Sequence, residues 1–123
     1  MFTYDDLNKV LQKEPTLNKN GFNTPDPRKI YNFGDVELVE IDTAITWLSD
    51  RERSKRFNKN ITSYGIKHLA ERAFGTYICN GSLIAAAIHM RLEYKKIDNT
   101  PNIFLKIPDK ELYRAYYYRK VWH

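Results

Sequence analysis

Cys79 is the only cysteine in 123 residues. A lone cysteine excludes an internal disulfide and fits a reducing compartment, most simply a cytoplasm. The chain also lacks a paired-cysteine zinc motif, a Gly-rich phosphate loop and a nucleophile elbow. Long hydrophobic runs are missing too. The longest near-apolar stretch is Leu83–Ile88, with Met90 and Leu92 beyond it, far short of the roughly 18–20 residues a membrane span needs. The opening MFTYDDLNKV is acidic and amphipathic, unlike a signal peptide. No internal repeat or low-complexity tract is present, so the expectation is one domain over 1–123 with no membrane partner.

Apolar residues make up 42% of the chain, enough for a packed core at this length. The net charge of +5 conceals a split. Residues 1–50 carry five Lys/Arg and nine Asp/Glu, whereas 51–123 carry fifteen and six. An excess of cations in the C-terminal part is a signal for a polyanionic partner, although a soluble basic surface gives the same numbers.

Asp5–Lys13 reads as a helix capped by Thr3, with Leu7, Val10 and Leu11 on one face, ended by Glu14-Pro15. Residues 16–35 hold Gly21, Pro25, Pro27 and Gly34 and read as an extended loop, pinned by Phe22, Ile30, Tyr31 and Phe33. The first 35 residues are thus a helix plus loop, and 36–123 a basic helical body. Val36–Ile41 reads as a strand. A helix capped by Asp42 or Thr43 follows, with Ala44, Ile45, Trp47 and Leu48 inward and the polar Ser49–Arg56 as its second half.

Two adjacent helices give the clearest pattern. Ser63 caps the first, with Ile66, Leu69, Ala70 and Ala73 on one face and Gly75 at its end. Asn80 caps the second, Gly81–Arg91, whose stripe is Leu83, Ile84, Ala87 and Ile88. Asn102–Ile107 alternates as a strand and is expected to pair with 36–41. Asp109 starts a last helix, with Leu112, Tyr113, Tyr116, Tyr117 and Val121 inward. The expected fold is mostly α with a minor β element (α+β), a small single domain around a central helix-turn-helix-like pair.

The segment Ser63–Ala87 carries Ser63, Tyr64, Gly65, Lys67, His68, Glu71, then Tyr77, Asn80, Gly81, Ile84, Ala85 and Ala86. This pattern resembles small uncharacterised proteins of phages and other mobile elements. The resemblance covers about a fifth of the chain. It implies a phage or plasmid setting in a bacterial cell, without an assigned activity.

Arg51, Arg53, Lys55, Arg56 and Lys59 stand just before the helix pair, a density that suits phosphate contacts or a solvated face. Lys67 extends them, and Ser82, Ala85, Ala86 and His89 are expected on the exposed side of the second helix, facing a groove. Tyr113, Arg114, Tyr117, Tyr118, Arg119 and Trp122 interleave rings with cations. Such a run serves a core, a protein interface or base stacking. His68 with Glu71, and His89 with Glu93, suit helix-surface pairs better than metal or general-base work, and Cys79 suits a buried small hydrophobe. The expectation is therefore a non-enzymatic protein without metal or cofactor that binds DNA or RNA. The alternative is an anti-CRISPR-like inhibitor that binds a host defence protein.

Overall fold

The computed structural model describes residues 1–23 and 32–112. Among them the order is α1 (Tyr4–Lys13), α2 (Asp35–Ser49), α3 (Ser63–Phe74), α4 (Asn80–His89), β1 (Tyr94–Lys96) and β2 (Ile103–Leu105). Residues 109–112 are again helical. The fold is mostly α with a minor β element.

α4 is the axis. Every residue of α4 up to Ile88 is buried, and α1, α2 and α3 all pack against it. Its small residues explain how: Ala85, Ala86 and Ala87 let neighbouring helices approach on all sides, while Leu83, Ile84 and Ile88 fill the remaining volume. From α2 come Ile41, Ala44, Trp47 and Leu48, from α3 Ile66 and Ala70, and from α1 Leu7 and Val10. In α3 the inward face is Ser63, Ile66, Lys67 and Ala70, with Leu69 half-buried and Ala73 exposed. Of the expected face Ile66, Leu69, Ala70 and Ala73, Ile66 and Ala70 are buried, and the inward face is rotated toward Ser63 and Lys67.

Thr3 caps α1 in a full capping box with Asp6, as its sequence predicts. The segment 36–41 is a correction: it lies inside α2. Read alone, VELVEI satisfies a strand's composition. Followed on to Leu48, the buried positions Glu40, Ile41, Ala44, Trp47 and Leu48 repeat at helical spacing. Val36 and Val39, 67% and 66% exposed, fall on the outer face. The helix starts at Gly34, whose N–H donates to Glu37 Oε1 at 2.7 Å, not at Asp42 or Thr43. It stops at Ser49, so the basic run after it is not helical.

β2 therefore pairs with β1 instead, antiparallel, with Tyr94 opposite Leu105 and Lys96 opposite Ile103. Ile103, Leu105 and Ile107 point into the core. Two caps also shift by one residue. Thr62 and Cys79 occupy the N-cap positions of α3 and α4, which frees Ser63 and Asn80 for other work. Ser63 Oγ accepts from Ile103 N–H at 3.1 Å, and Asn80 Nδ2 donates to Asn20 O, Pro101 O and Asn102 Oδ1. Across the same joint, Gly81 N–H donates to Lys19 O at 2.9 Å. A Cβ on Gly81 would sit 1.9 Å from Asn18 O, so backbone meets backbone there.

Candidate nucleic-acid interface

The segment from Arg51 to Asn60 is a loop held along its length. Glu52 N–H donates to Glu111 Oε1 at 2.9 Å, Ser54 N–H to Lys106 O at 2.8 Å, and Asn58 N–H to Leu105 O at 2.9 Å. The Asn58 amide then bridges Ile107 O and Asp109 Oδ1. These bonds anchor the loop against β2 and the residues after it. Arg53, Lys55, Arg56 and Lys59 are exposed on this anchored backbone, which fixes the points from which their side chains extend.

Arg51 differs from them. Its guanidinium lies 4.7 Å from the Trp47 ring centroid, and its Nε donates to Trp47 O at 3.3 Å. It closes the C-terminal end of α2 as well as adding charge.

Two hollows adjoin this loop. One, of about 430 Å³, is lined by Arg51, Arg53, Ser54, Lys55, Arg91, Glu93 and Lys106 over a floor of Leu48, Leu92, Leu105 and Ile107. The other, of about 990 Å³, lies against α1, the end of α4 and β1. It is lined by Asp6, Lys9, Lys13, Phe57, His89, Arg91, Glu93, Tyr94 and Lys96, with Val10, Ile88 and Leu92 beneath. Arg91, Leu92 and Glu93 belong to both. Eight Lys and Arg line the pair of hollows against two carboxylates, Asp6 and Glu93, and low-dielectric walls concentrate the field of such a cluster. Glu93 is engaged by Lys106, and Lys96 by Glu14 at 2.7 Å. No ion pair among the described residues engages Arg53, Lys55 or Arg91.

Arg91 carries a second mark. Its φ is +60°, in the left-handed region two residues past the end of α4. Glycine takes this conformation freely, whereas a side chain pays about 1 kcal/mol or more. The chain accepts that cost and places a guanidinium at the wall common to both hollows.

The expected groove-reading set is only partly assembled. Arg51, Arg53 and Lys55 line the smaller hollow and His89 the larger one, edge-on to Phe2 at 5.0 Å. Arg56 and Lys59 are exposed but line neither hollow. Three expectations are corrected. Lys67 is 3% exposed and bound to Glu71 at 3.1 Å. Ser82 is fully buried, its hydroxyl donating to Glu40 Oε1 at 3.0 Å. Ala85 and Ala86 are fully buried as well. For Ser82, Ala85 and Ala86 the reason is that α4, made almost wholly of small and apolar residues, is drawn to the centre of a small domain; Lys67 lies on the inward face of α3, where Glu71 pairs it. Tyr113, Arg114, Tyr117, Tyr118, Arg119 and Trp122 lie outside the described residues.

Sequence reasoning missed Lys9, Lys13, Arg91, Lys96 and Lys106. Lys9 and Lys13 are four apart on α1, and Lys96 and Lys106 flank the hairpin. Arg91 stands where a helix-ending glycine is usual, and that misplacement was the readable signal.

The residues carrying the phage-protein resemblance gather in two other places. Ser63, Asn80 and Gly81 form the internal joint described above. Tyr64, Lys67, His68, Glu71 and Tyr77 form a surface cluster. Lys67 Nζ lies 5.2 Å from the Tyr64 ring centroid and 4.5 Å from that of Tyr77, and His68 stands edge-on to Tyr64 at 4.6 Å. Glu71 accepts from Lys67, from Ile78 N–H at 2.9 Å, and pairs with His68 Nδ1 at 2.8 Å. Burial pushes its carboxyl up, and the Ile78, Lys67 and His68 bonds more than offset this, holding it below the usual range. Here Glu71 acts as a tie between α3 and the turn into α4.

Cys79 is buried beside Ser82 and Glu40, and burial pushes its thiol up to about 12, so it stays an inert thiol at neutral pH. Among the described residues no three His, Cys, Asp or Glu side chains converge as a metal site. Nor is any helix there long and apolar enough to cross a membrane. Compared with protein-family models, curated proteins and solved structures, the chain matches none.

Proposed function

We propose that this chain is a small non-enzymatic nucleic-acid-binding protein of a phage or mobile element, working in a bacterial cytoplasm. The observation that carries the reading is the convergence of Arg53, Lys55 and Arg91 on one hollow, none of them engaged by an ion pair among the described residues. The mobile-element setting comes from the resemblance around Ser63–Ala87. In this reading phosphates displace counterions from the cleft cations, so affinity falls steeply with salt. Arg56 and Lys59 belong to the same run and carry the same charge but line neither hollow, which supplies a matched control. Mobility shifts at several salt concentrations should show that the Arg53→Ala/Lys55→Ala pair weakens binding more than the Arg56→Ala/Lys59→Ala pair. The first pair should also flatten the salt slope by up to about two units. Equal effects would mean that net charge, not the cleft, binds. No binding by the wild type even at low salt would end the reading.

A second reading, inhibition of a host defence complex through protein contact, draws on a different surface. Tyr64, Phe74 and Tyr77 are 53%, 46% and 62% exposed, and Tyr64 and Tyr77 flank the Lys67–Glu71 pair. Exposed aromatics of this kind make interface anchors. Under this reading Tyr77→Ala abolishes capture of a host protein and leaves nucleic-acid binding untouched.

A further inference from the structure

We infer that the basic cleft takes an unpaired nucleic-acid strand rather than a duplex, an inference that rests on the nucleic-acid reading above. The cations stand around hollows of about 990 and 430 Å³ instead of on a projecting ridge. Hollows of this size suit groups on the scale of a few hundred Å³. A duplex is entered from outside by a protruding helix or ribbon. α4, the second helix of the expected helix-turn-helix pair, is buried from Asn80 to Ile88 and cannot protrude.

Rings lie beside the cations. Phe57 and Tyr94, both half-buried, line the larger hollow. Lys106 Nζ is 5.0 Å from the Phe57 centroid and Lys13 Nζ 5.6 Å from that of Tyr94. A ring next to an ammonium can hold a base face and its phosphate together, the arrangement used by proteins that bind single strands. A base inside a duplex is already stacked on both faces and cannot use the ring.

The cations and rings of the lining address phosphates and base faces, which DNA and RNA share.

The test is fluorescence anisotropy with oligo(dT) and oligo(rU) of about 20 nucleotides and a DNA duplex of equal length, at matched salt. The wild type should bind both single strands at least tenfold tighter than the duplex. Phe57→Leu, which keeps apolar bulk and every charge, should weaken single-strand binding roughly tenfold while leaving the salt slope unchanged. Duplex binding as tight as single-strand binding overturns the inference but leaves the nucleic-acid reading standing. So does a folded Phe57→Leu protein, with an unchanged melting temperature, that binds as the wild type does. Failure of the wild type to bind any of the three probes removes the nucleic-acid reading itself. The wild-type comparison of strand and duplex decides even if Phe57→Leu does not fold.

Discussion

Gly75 and Gly81, six positions apart in the sequence, have opposite reasons to be there. Gly75 ends α3 with φ +66° and has no heavy atom within 4 Å of where a Cβ would stand. Gly81 is under no torsional demand, but a Cβ would strike Asn18 O and Lys19 Cα. Sequence supports the first role and says nothing of the second, because the close approach comes from a segment some sixty residues upstream. Gly75→Ala should therefore cost about 1 kcal/mol. Gly81→Ala should cost about 3 kcal/mol, as overpacking against rigid backbone does. Urea denaturation of the two variants checks the ranking, which reverses if Gly81 only follows a helix cap.

Glu71 sets another residue-level expectation. Its carboxyl is held below its ordinary value of 4.5, as is that of Glu14, where the Lys96 and Tyr94 bonds outweigh burial. The unfolded chain then binds protons before the folded one as pH falls. Stability is fully present above about pH 4.5 and is lost as pH drops through the folded values. Glu71→Gln should lower the melting temperature at neutral pH and make the acid limb of its pH profile shallower. A profile parallel to the wild type's would show that Glu71 is not the titrating tie.

At the scale of elements, legibility follows from how local the deciding interaction is. α1 was readable because Thr3, Asp6 and the Leu7–Val10 stripe lie within one segment. α2 was not, because the six residues Val36–Ile41 fit a strand and only the run to Leu48 reveals the helical period. The spacing of α4 was correct, but its environment was wrong. A stripe of Leu83, Ile84, Ala87 and Ile88 suggests one buried face, and burial of the other face is decided by three separate neighbours. The start of α4 also depends on a distant partner: Glu40 of α2 accepts from Cys79 N–H at 2.9 Å and from Ser82 Oγ. Glu40→Ala leaves the buried Cys79 N–H without its acceptor and Ser82 Oγ with only its contact to Cys79 Sγ, and should cost about 1–3 kcal/mol in chemical denaturation. A loss under about 0.5 kcal/mol would mean the bond is dispensable.

For the whole molecule, the charge split in the sequence names the half that supplies six of the eight cations lining the hollows, but not the hollows themselves. Arg53 and Lys55 could be named from the run at 51–59. Arg91 and Lys106, which line the same hollow, come from segments whose proximity depends on the β1–β2 pairing and on the loop bonds to Lys106 O and Leu105 O. Lys9 and Lys13 join because α1 packs on α4, and Lys96 joins from β1, where it pairs with Glu14. Surface charges are thus legible as a sum and illegible as a place.

Under the proposed function, Arg91 holds a costly backbone conformation for the sake of its guanidinium, and Arg91→Gly separates the backbone from the charge. Glycine relieves the φ of +60°, so the variant should be as stable as the wild type or about 1 kcal/mol more stable. Its affinity for an oligonucleotide should nevertheless fall, with the salt slope flattened by roughly 0.7–0.9 for the lost phosphate contact. Thermal denaturation and a salt series on the same sample read both effects. A variant that gains stability and loses binding is the predicted result. A variant that binds as tightly as the wild type with the same salt slope would contradict the account.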